Sequence, residues 1–171
     1  MQTEVLDILI RDSLRDLAAF IAEKGWCGRE REAVSLYVLG FLISKCDPSG
    51  PLKHPTQIGM DVAVIQHPGV KRKKLVCKDL VIWPSAAGNC WDAERQPTQH
   101  PLAILEWKTR TDKISAYDQK WLVEFSEKVP DFIGYAVSLN STRNHTSMTV
   151  TRMRGGEITA NWLQFSKRGI R

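Results

Sequence analysis

Two apolar stretches of this chain are each interrupted by an acidic residue, and one of them also contains a lysine. Residues 102–108 read Leu-Ala-Ile-Leu-Glu-Trp-Lys, which places Glu106 and Lys108 two residues apart. On a β-strand, side chains with this spacing point to the same face. Burying a charge costs several kcal/mol unless it is paired or bound to a metal. The two charges therefore form either a salt bridge at a solvated strand end or part of a polar site.

Asp79 is the second acidic residue of this kind, in the sequence Lys-Asp-Leu-Val-Ile-Trp. If its strand neighbours residues 102–108, the carboxylates of Asp79 and Glu106 lie opposite each other. Two carboxylates directed at one point form an oxygen site suited to Mg²⁺, for which Mn²⁺ can substitute. Lys108 would then orient or deprotonate a water, or stabilise the charge that builds on a phosphate. Metal, activated water and positive charge are what phosphodiester hydrolysis requires.

The pattern of apolar residues predicts the elements that position these side chains. We treat residues 1–171 as a single domain, because this length suits one core. Residues 158–165 fit a strand or a short helix equally well. The order of elements predicts an α/β fold in which helices flank a mixed central β-sheet. The predicted helices are 3–24, 29–45 and one capped by Asp112 that runs to about Lys128, and the predicted strands are 57–66, 75–83, 102–108, 132–139 and 146–153.

Two loops of the predicted fold carry residues that suit contact with a nucleic acid. The connection over 67–74 looks like a hairpin tip with four consecutive basic residues, which are either simply solvated or in contact with phosphate. The long loop over 84–101 contains Trp91, which is either a core residue or exposed for base stacking. We predict that both loops touch the substrate. The basic residues of the hairpin are Lys71, Arg72, Lys73 and Lys74.

The composition limits the class of protein. With 43% hydrophobic and 25% charged residues, the chain is typical of a globular protein rather than a disordered one. A net charge of +5 favours a polyanionic partner. No apolar run reaches the roughly 18 residues that would cross a membrane, and no signal peptide is evident. The four scattered cysteines are typical of reduced thiols, so we expect a cytoplasmic protein without a membrane partner.

Asp79 followed by Glu106-Trp107-Lys108 resembles the motif of the PD-(D/E)XK nucleases, the restriction-endonuclease-like superfamily. The resemblance covers roughly residues 28–140. It implies an αβββαβ core, here with an extra N-terminal helix, and a Mg²⁺-dependent nuclease that cleaves DNA in preference to RNA, as an endonuclease. In that case Asp79 and Glu106 would bind the metal, and Lys108 would assist the attacking water.

Family members commonly carry a glutamate on the helix before the three-strand meander, and this residue joins the metal site. Glu30 and Glu32 are the candidates, of which we prefer Glu30 because it precedes the packed side of the helix. The alternative for both is favourable charge at a helix N-terminus. Many members also use a polar residue on the crossover helix, for which Gln119 and Lys120 are the nearest matches.

The chain departs from the family pattern in two respects. Lys78 stands where the family's nominal proline would be, and the interval between Asp79 and Glu106 is longer than usual because of the loop over 84–101. Asp61, on the first predicted strand, is either an additional acid near the site or a structural residue.

The alternative function is a nuclease-fold subunit that binds nucleic acid or a protein partner without cleaving. A small-molecule enzyme finds no support, because the sequence has no Gly-rich phosphate loop and no nucleophile elbow. We expect any sequence specificity to come from loops, from a homodimer partner or from another subunit.

Overall fold

The protein is a mixed α/β fold, and the computed structural model describes residues 2–66, 75–85 and 99–168. In those residues a six-stranded mixed sheet is accompanied by three α-helices. The helices are α1 (Gln2–Lys24), α2 (Glu30–Tyr37) and α3 (Ala116–Lys128), and the strands are β1 (Ile58–Ile65), β2 (Leu75–Ile82), β3 (Ala103–Thr109), β4 (Ile133–Thr142), β5 (His145–Arg154) and β6 (Glu157–Arg168).

The strands lie in the sheet in the same order as in the chain, from β1 to β6. Every neighbouring pair is antiparallel except β3 and β4, which are parallel. A parallel pair needs a crossover connection, and α3 provides it. β3 therefore lies inside the sheet, between β2 and β4, and most of its side chains are buried.

Apolar side chains fill both faces of the sheet, as the predicted fold class requires. One face packs against α1 and α2, and the other packs against α3. The alternation along β3 divides its residues between the two cores, with Leu105 and Trp107 on the first face and Ile104 on the second. The helical residues that contribute most to the cores are Leu6, Ile10, Leu14, Leu17, Ile21, Val34 and Tyr37 on the first face, and Trp121, Leu122 and Phe125 on the second.

The third helix begins later than predicted. α3 starts at Ala116, and the hydroxyl of Ser115 caps it by accepting a hydrogen bond from the Asp118 N–H at 3.3 Å. Asp112, the predicted cap, instead accepts hydrogen bonds from the Asn140 amide and the Ser147 hydroxyl, at 2.8 and 2.5 Å. Its carboxylate ties the loop before α3 to β4 and β5, which is a contact between elements distant in the chain.

The second helix is less regular than the continuous helix predicted over 29–45. After α2, the chain widens into a π-helical segment over Val38–Leu42 and then tightens into a 3₁₀ turn over Ile43–Lys45. Gly40, one of the weakest helix formers, lies at the centre of the widened segment.

β1 and β6 form the two edges of the sheet in the part of the chain that the structure describes. Each contains a residue in the left-handed region, Asp61 with φ of 53° and Asn161 with φ of 52°. The register between β5 and β6 shifts between Val150 and Arg152, close to Asn161. The segment 158–165, for which the sequence left two alternatives, is thus a bulged edge strand.

Several sequence predictions fall outside the described residues. These are the basic hairpin tip with Lys71, Arg72, Lys73 and Lys74, and most of the loop over 84–101, including Trp91. Among the residues that are described, Cys27, Cys46 and Cys77 are free thiols. No helix in the described ranges is both long and apolar enough to cross a membrane.

Candidate functional site

The predicted acids lie where β2 and β3 separate. The two strands are paired from Ile82 and Ala103 to Leu80 and Leu105, and the pairing stops there. Asp79 and Glu106 are the next residues of β2 and β3, and the Asp79 Oδ2 accepts a hydrogen bond from the backbone N–H of Trp107 at 2.8 Å. A side chain thus satisfies a backbone donor that a regular ladder would have satisfied.

Glu106 is paired with a residue that the sequence indicated only as a departure from the family pattern. Its Oε1 is in contact with the Nζ of Lys78, and the two side chains are only 7% and 3% exposed. The same Nζ lies 3.7 Å from the centre of the Trp121 ring, a cation–π contact. The solvated strand-end salt bridge considered from the sequence does not describe Glu106, because its strand is internal and its partner is Lys78, not Lys108.

The environment of Glu106 raises its pKa. Burial is the main cause, and the attraction of Lys78 opposes it. The charge of Asp79 and a hydrogen bond with its carboxyl group raise the pKa further, to about 7. The carboxyl groups of Asp79 and Glu106 are therefore adjacent, as the sequence reasoning required for a shared oxygen site.

Lys108 lies on the other side of this acidic pair, between two further carboxylates. Its Nζ is 3.3 and 3.4 Å from the two carboxylate oxygens of Glu30 and 3.9 Å from the Asp118 Oδ2, and it donates to the Trp107 carbonyl at 2.7 Å. Partial burial works against the ammonium, but the charges of Glu30, Asp79 and Asp118 together raise the pKa of Lys108. The side chain is therefore held as a cation beside the acids.

The two candidate glutamates of α2 have different partners. Glu32 accepts hydrogen bonds from the backbone N–H and the guanidinium of Arg29, and the first of these is one half of a capping box. Glu30 is turned to the site, where it holds Lys108. Burial is the main cause of the raised pKa of Glu30, to which the neighbouring charge of Asp79 contributes while Lys108 opposes it. Of the two, Glu30 is the one that the structure brings to the site.

A cleft of about 240 Å³ opens beside Asp79, between α2 and the first two strands. The guanidinium of Arg31 and the Oδ2 of Asp61 meet across it at 3.0 Å. The other oxygen of Asp61 accepts a hydrogen bond from the Cys77 thiol at 3.3 Å. The residues that line the cleft come from α2 (Glu30, Arg31, Val34 and Ser35), β1 (Met60 and Asp61) and β2 (Asp79).

The left-handed residue Asp61 lies opposite the point where the alternation of side chains along β2 is broken. In the register, Met60 is paired with Leu80 and Val62 with Lys78, so Asp61 lies opposite Asp79. Regular alternation would put Lys78 and Leu80 on one face, yet Leu80 packs in the core beside α1 and α2 while Lys78 contacts Trp121 of α3. This break in alternation brings the Lys78 ammonium to Glu106. Regular alternation along a strand does not predict that contact.

The predicted residues of the crossover helix, Gln119 and Lys120, are not brought to the site but line a separate surface groove with Ile158 of β6. Lys120 is 78% exposed and 4.0 Å from Glu124, and Gln119 is half-buried. Their neighbour Asp118 is the residue of α3 that reaches Lys108. Sequence reasoning missed Asp118, although its position next to Gln119 at the start of the predicted crossover helix was a usable signal.

Glu30, Asp79 and Glu106 are the carboxylates of the site that a divalent cation could contact. Within residues 2–66, 75–85 and 99–168, no cluster of three or more His, Cys, Asp or Glu side chains is arranged to hold a metal ion. Glu30 is paired with Lys108 and Glu106 with Lys78, and Asp79 and Glu106 are the two acids that adjoin each other. Carboxylate oxygens are the hard donors that Mg²⁺ and Mn²⁺ prefer. Asp79 and Glu106 are therefore the residues whose donor chemistry suits such an ion.

Comparison with known protein families, with curated proteins and with solved structures finds no match for this chain.

Proposed function

We propose that this protein is a metal-dependent nuclease that hydrolyses phosphodiester bonds, at internal positions and in DNA in preference to RNA. The observation that carries the proposal is the pair of adjoining carboxyl groups of Asp79 and Glu106, with the Lys108 ammonium beside them. The charge of Asp79 disfavours the ionised form of Glu106 at the point where the two buried strands separate, which costs stability. A site that binds a cation and a phosphate would need such a pair of acids despite the loss of stability.

The order and pairing of the elements support the same proposal. A helix (α2) precedes three antiparallel strands (β1–β3), and a crossover helix (α3) then leads to a parallel neighbour, β4. This is the element order of the restriction-endonuclease-like core, which we propose for residues 30–142 with α1, β5 and β6 as additions. The candidate residues lie on α2, β2, β3 and α3 of that arrangement.

In the proposed mechanism Asp79 and Glu106 hold the divalent ion, and Glu30 flanks the site. When bound, Mg²⁺ supplies a Lewis acid for the phosphate and lowers the pKa of a water. The hydrogen bond from the Trp107 N–H fixes the Asp79 carboxylate, and the ion pair with Lys78 favours the ionised form of Glu106. Both residues are therefore oriented before a ligand arrives.

Lys108 acts as a positive charge in this proposal. Its raised pKa means that it stays protonated at neutral pH, which suits an ammonium that orients the attacking water and stabilises charge on the phosphate. The same property makes Lys108 a poor general base, and of the roles considered from the sequence it favours charge stabilisation.

A cleavage assay tests the proposal directly. Supercoiled plasmid and single-stranded DNA are incubated with Mg²⁺ and with wild type, Asp79→Asn or Lys108→Met. We expect each variant to lose activity by about 10²-fold or more, because each removes a group that acts on the reacting phosphate. Glu157→Gln, at the start of the distant strand β6, is the matched control. Equal cleavage by all four proteins would exclude this site.

One observation favours a second function, that of a non-catalytic subunit with a nucleic acid or protein partner. Both Glu106 and Glu30 are already paired with lysines of the same chain, so the acids are partly neutralised without any metal. Calorimetric titration with Mg²⁺ and Mn²⁺ distinguishes the two functions. The nuclease is expected to bind the ion and Asp79→Asn to bind it weakly, whereas DNA binding without metal binding would favour the subunit.

A further inference from the structure

The cleft beside Asp79 is bridged by an ion pair that the proposed catalytic residues do not use. Arg31 projects from the first turn of α2 and meets Asp61 of β1 at 3.0 Å, so the pair joins the two walls of the cleft. The two side chains are 87% and 58% exposed. An ion pair this open to water contributes little to stability and exchanges readily.

Asp61 is fixed more firmly than Arg31. Its left-handed backbone is a conformation that few residues other than glycine adopt, and Asp is one of those that tolerate it. The Cys77 thiol donates to one carboxylate oxygen, and the other oxygen contacts the guanidinium. The arginine is therefore the more exposed partner, held over the cleft by a carboxylate that has a second hydrogen bond.

The charges around the cleft leave Arg31 as the group that can receive an anion. Three carboxylates line the cleft, those of Glu30, Asp61 and Asp79, and a phosphate that approaches them is repelled. Lys108 is engaged by Glu30 and Asp118. Among the described residues that line the cleft, Arg31 alone carries a positive charge. A planar guanidinium also matches two phosphate oxygens at once.

We propose that Arg31 is a substrate-binding residue, which takes a backbone phosphate next to the scissile bond, and that Asp61 holds its guanidinium in place until the phosphate displaces it. The inference rests on the proposed nuclease function and deepens it. The ligand is the sugar–phosphate backbone, so the contact is independent of base sequence. Asp61 is thereby assigned the role of a partner that the phosphate displaces from Arg31, instead of a place among the metal ligands.

Binding without cleavage provides the test. The full chain, in EDTA, is titrated into a short fluorescein-labelled DNA duplex, and anisotropy is measured at several salt concentrations. Arg31→Gln is expected to weaken binding about tenfold and to reduce the magnitude of the salt slope by about one, the signature of one lost phosphate contact. Arg29→Gln is the matched control, because it removes the same charge two residues away, where the arginine is bound to Glu32. It is expected to change the affinity by less than about twofold.

The Asp61→Asn variant gives an effect of opposite sign. Asn tolerates the left-handed backbone, so the fold of β1 is kept while the competing charge is removed. We expect the duplex to bind about threefold more tightly, because the phosphate no longer displaces a carboxylate from Arg31. A purely structural ion pair would instead leave the affinity unchanged in both variants.

Three results would overturn the inference: equal weakening by Arg31→Gln and Arg29→Gln, unchanged or weaker binding by Asp61→Asn, or no binding of the duplex by the wild type. The proposed function is judged separately, by cleavage. If the wild type and the three variants show the expected order of binding but none of them cleaves DNA with Mg²⁺, the nuclease proposal fails while the phosphate contact stands. If cleavage depends on Asp79 and binding is insensitive to Arg31, the opposite holds.

Discussion

Two ion pairs lie on either side of Asp79, and they differ in almost every physical respect. The Lys78–Glu106 pair is nearly inaccessible to water, with exposures of 3% and 7%, and its ammonium is covered by the Trp121 ring. The Arg31–Asp61 pair is 87% and 58% exposed and spans an open cleft.

The difference shows how solvent decides what an ion pair does. In the buried pair neither charge can turn to water, so removal of one partner leaves the other uncompensated. In the exposed pair water replaces either partner at little cost. The first arrangement fixes the position of Glu106, and the second leaves Arg31 free to exchange its partner for a ligand.

Breaking the buried pair is expected to have the largest effect on stability. Lys78→Met, measured above pH 7 where Glu106 is ionised in the wild type, should lower the free energy of unfolding by about 3–5 kcal/mol, because it leaves the Glu106 carboxylate buried without a counter-charge. Urea unfolding followed by circular dichroism measures the change. Adding Glu106→Gln to this variant removes the unpaired charge and should recover most of the loss. A loss under about 1 kcal/mol would contradict the burial of the pair.

The burial of Glu106 also predicts how the stability of the protein depends on pH. Its folded-state pKa is raised from 4.5 to about 7, so the folded protein binds the proton more tightly than the unfolded chain does. The stabilisation of the folded state by this proton is complete below pH 4.5. It amounts to roughly 3 kcal/mol of unfolding free energy and is lost as the pH rises through about 7.

The measurement is the difference in unfolding free energy between wild type and Glu106→Gln across that range, in which the other titrating groups largely cancel. As the pH rises, the unfolding free energy of the wild type should fall relative to that of Glu106→Gln. A difference that does not change with pH would place Glu106 in a solvated environment.

Breaking the exposed pair is expected to have the smallest effect. Arg31→Gln should change the free energy of unfolding by less than about 0.5 kcal/mol, because the guanidinium is already hydrated. The same urea titration serves, with Arg29→Gln measured in parallel. A loss comparable to that of Lys78→Met would show that Arg31 supports the fold, and its assignment to ligand binding would lose its basis.

Much of the fold was predictable because apolar periodicity is a local signal. The strands over 57–66, 75–83 and 102–108 were placed within one or two residues of β1, β2 and β3, since β-branched and apolar runs end at recognisable turns. The start of α3 was wrong because Asp112 and Ser115 are both good caps, and contacts with β4 and β5 decide between them. Such long-range contacts leave no trace in a window of sequence.

The candidate site was predictable only in part, for a related reason. Asp79, Glu106 and Lys108 stand out because charges are rare in buried strands, and the motif resemblance drew attention to Glu30. Lys78 and Arg31 did not stand out, because their roles depend on a break in strand alternation and on a cleft between distant elements. Regular geometry can be extrapolated from sequence, but an irregularity such as the left-handed Asp61 cannot.

The left-handed residues on the two edge strands also affect how this protein behaves at high concentration. An edge strand offers free N–H and C=O groups to which another chain can add. Asp61 interrupts β1, and Asn161 interrupts β6 beside a register shift. Neither edge of the described sheet therefore presents a flat, continuous template, and Lys167 and Arg168 add like charge at one end of β6. These irregularities protect the chain against edge-to-edge aggregation and the growth of intermolecular sheets.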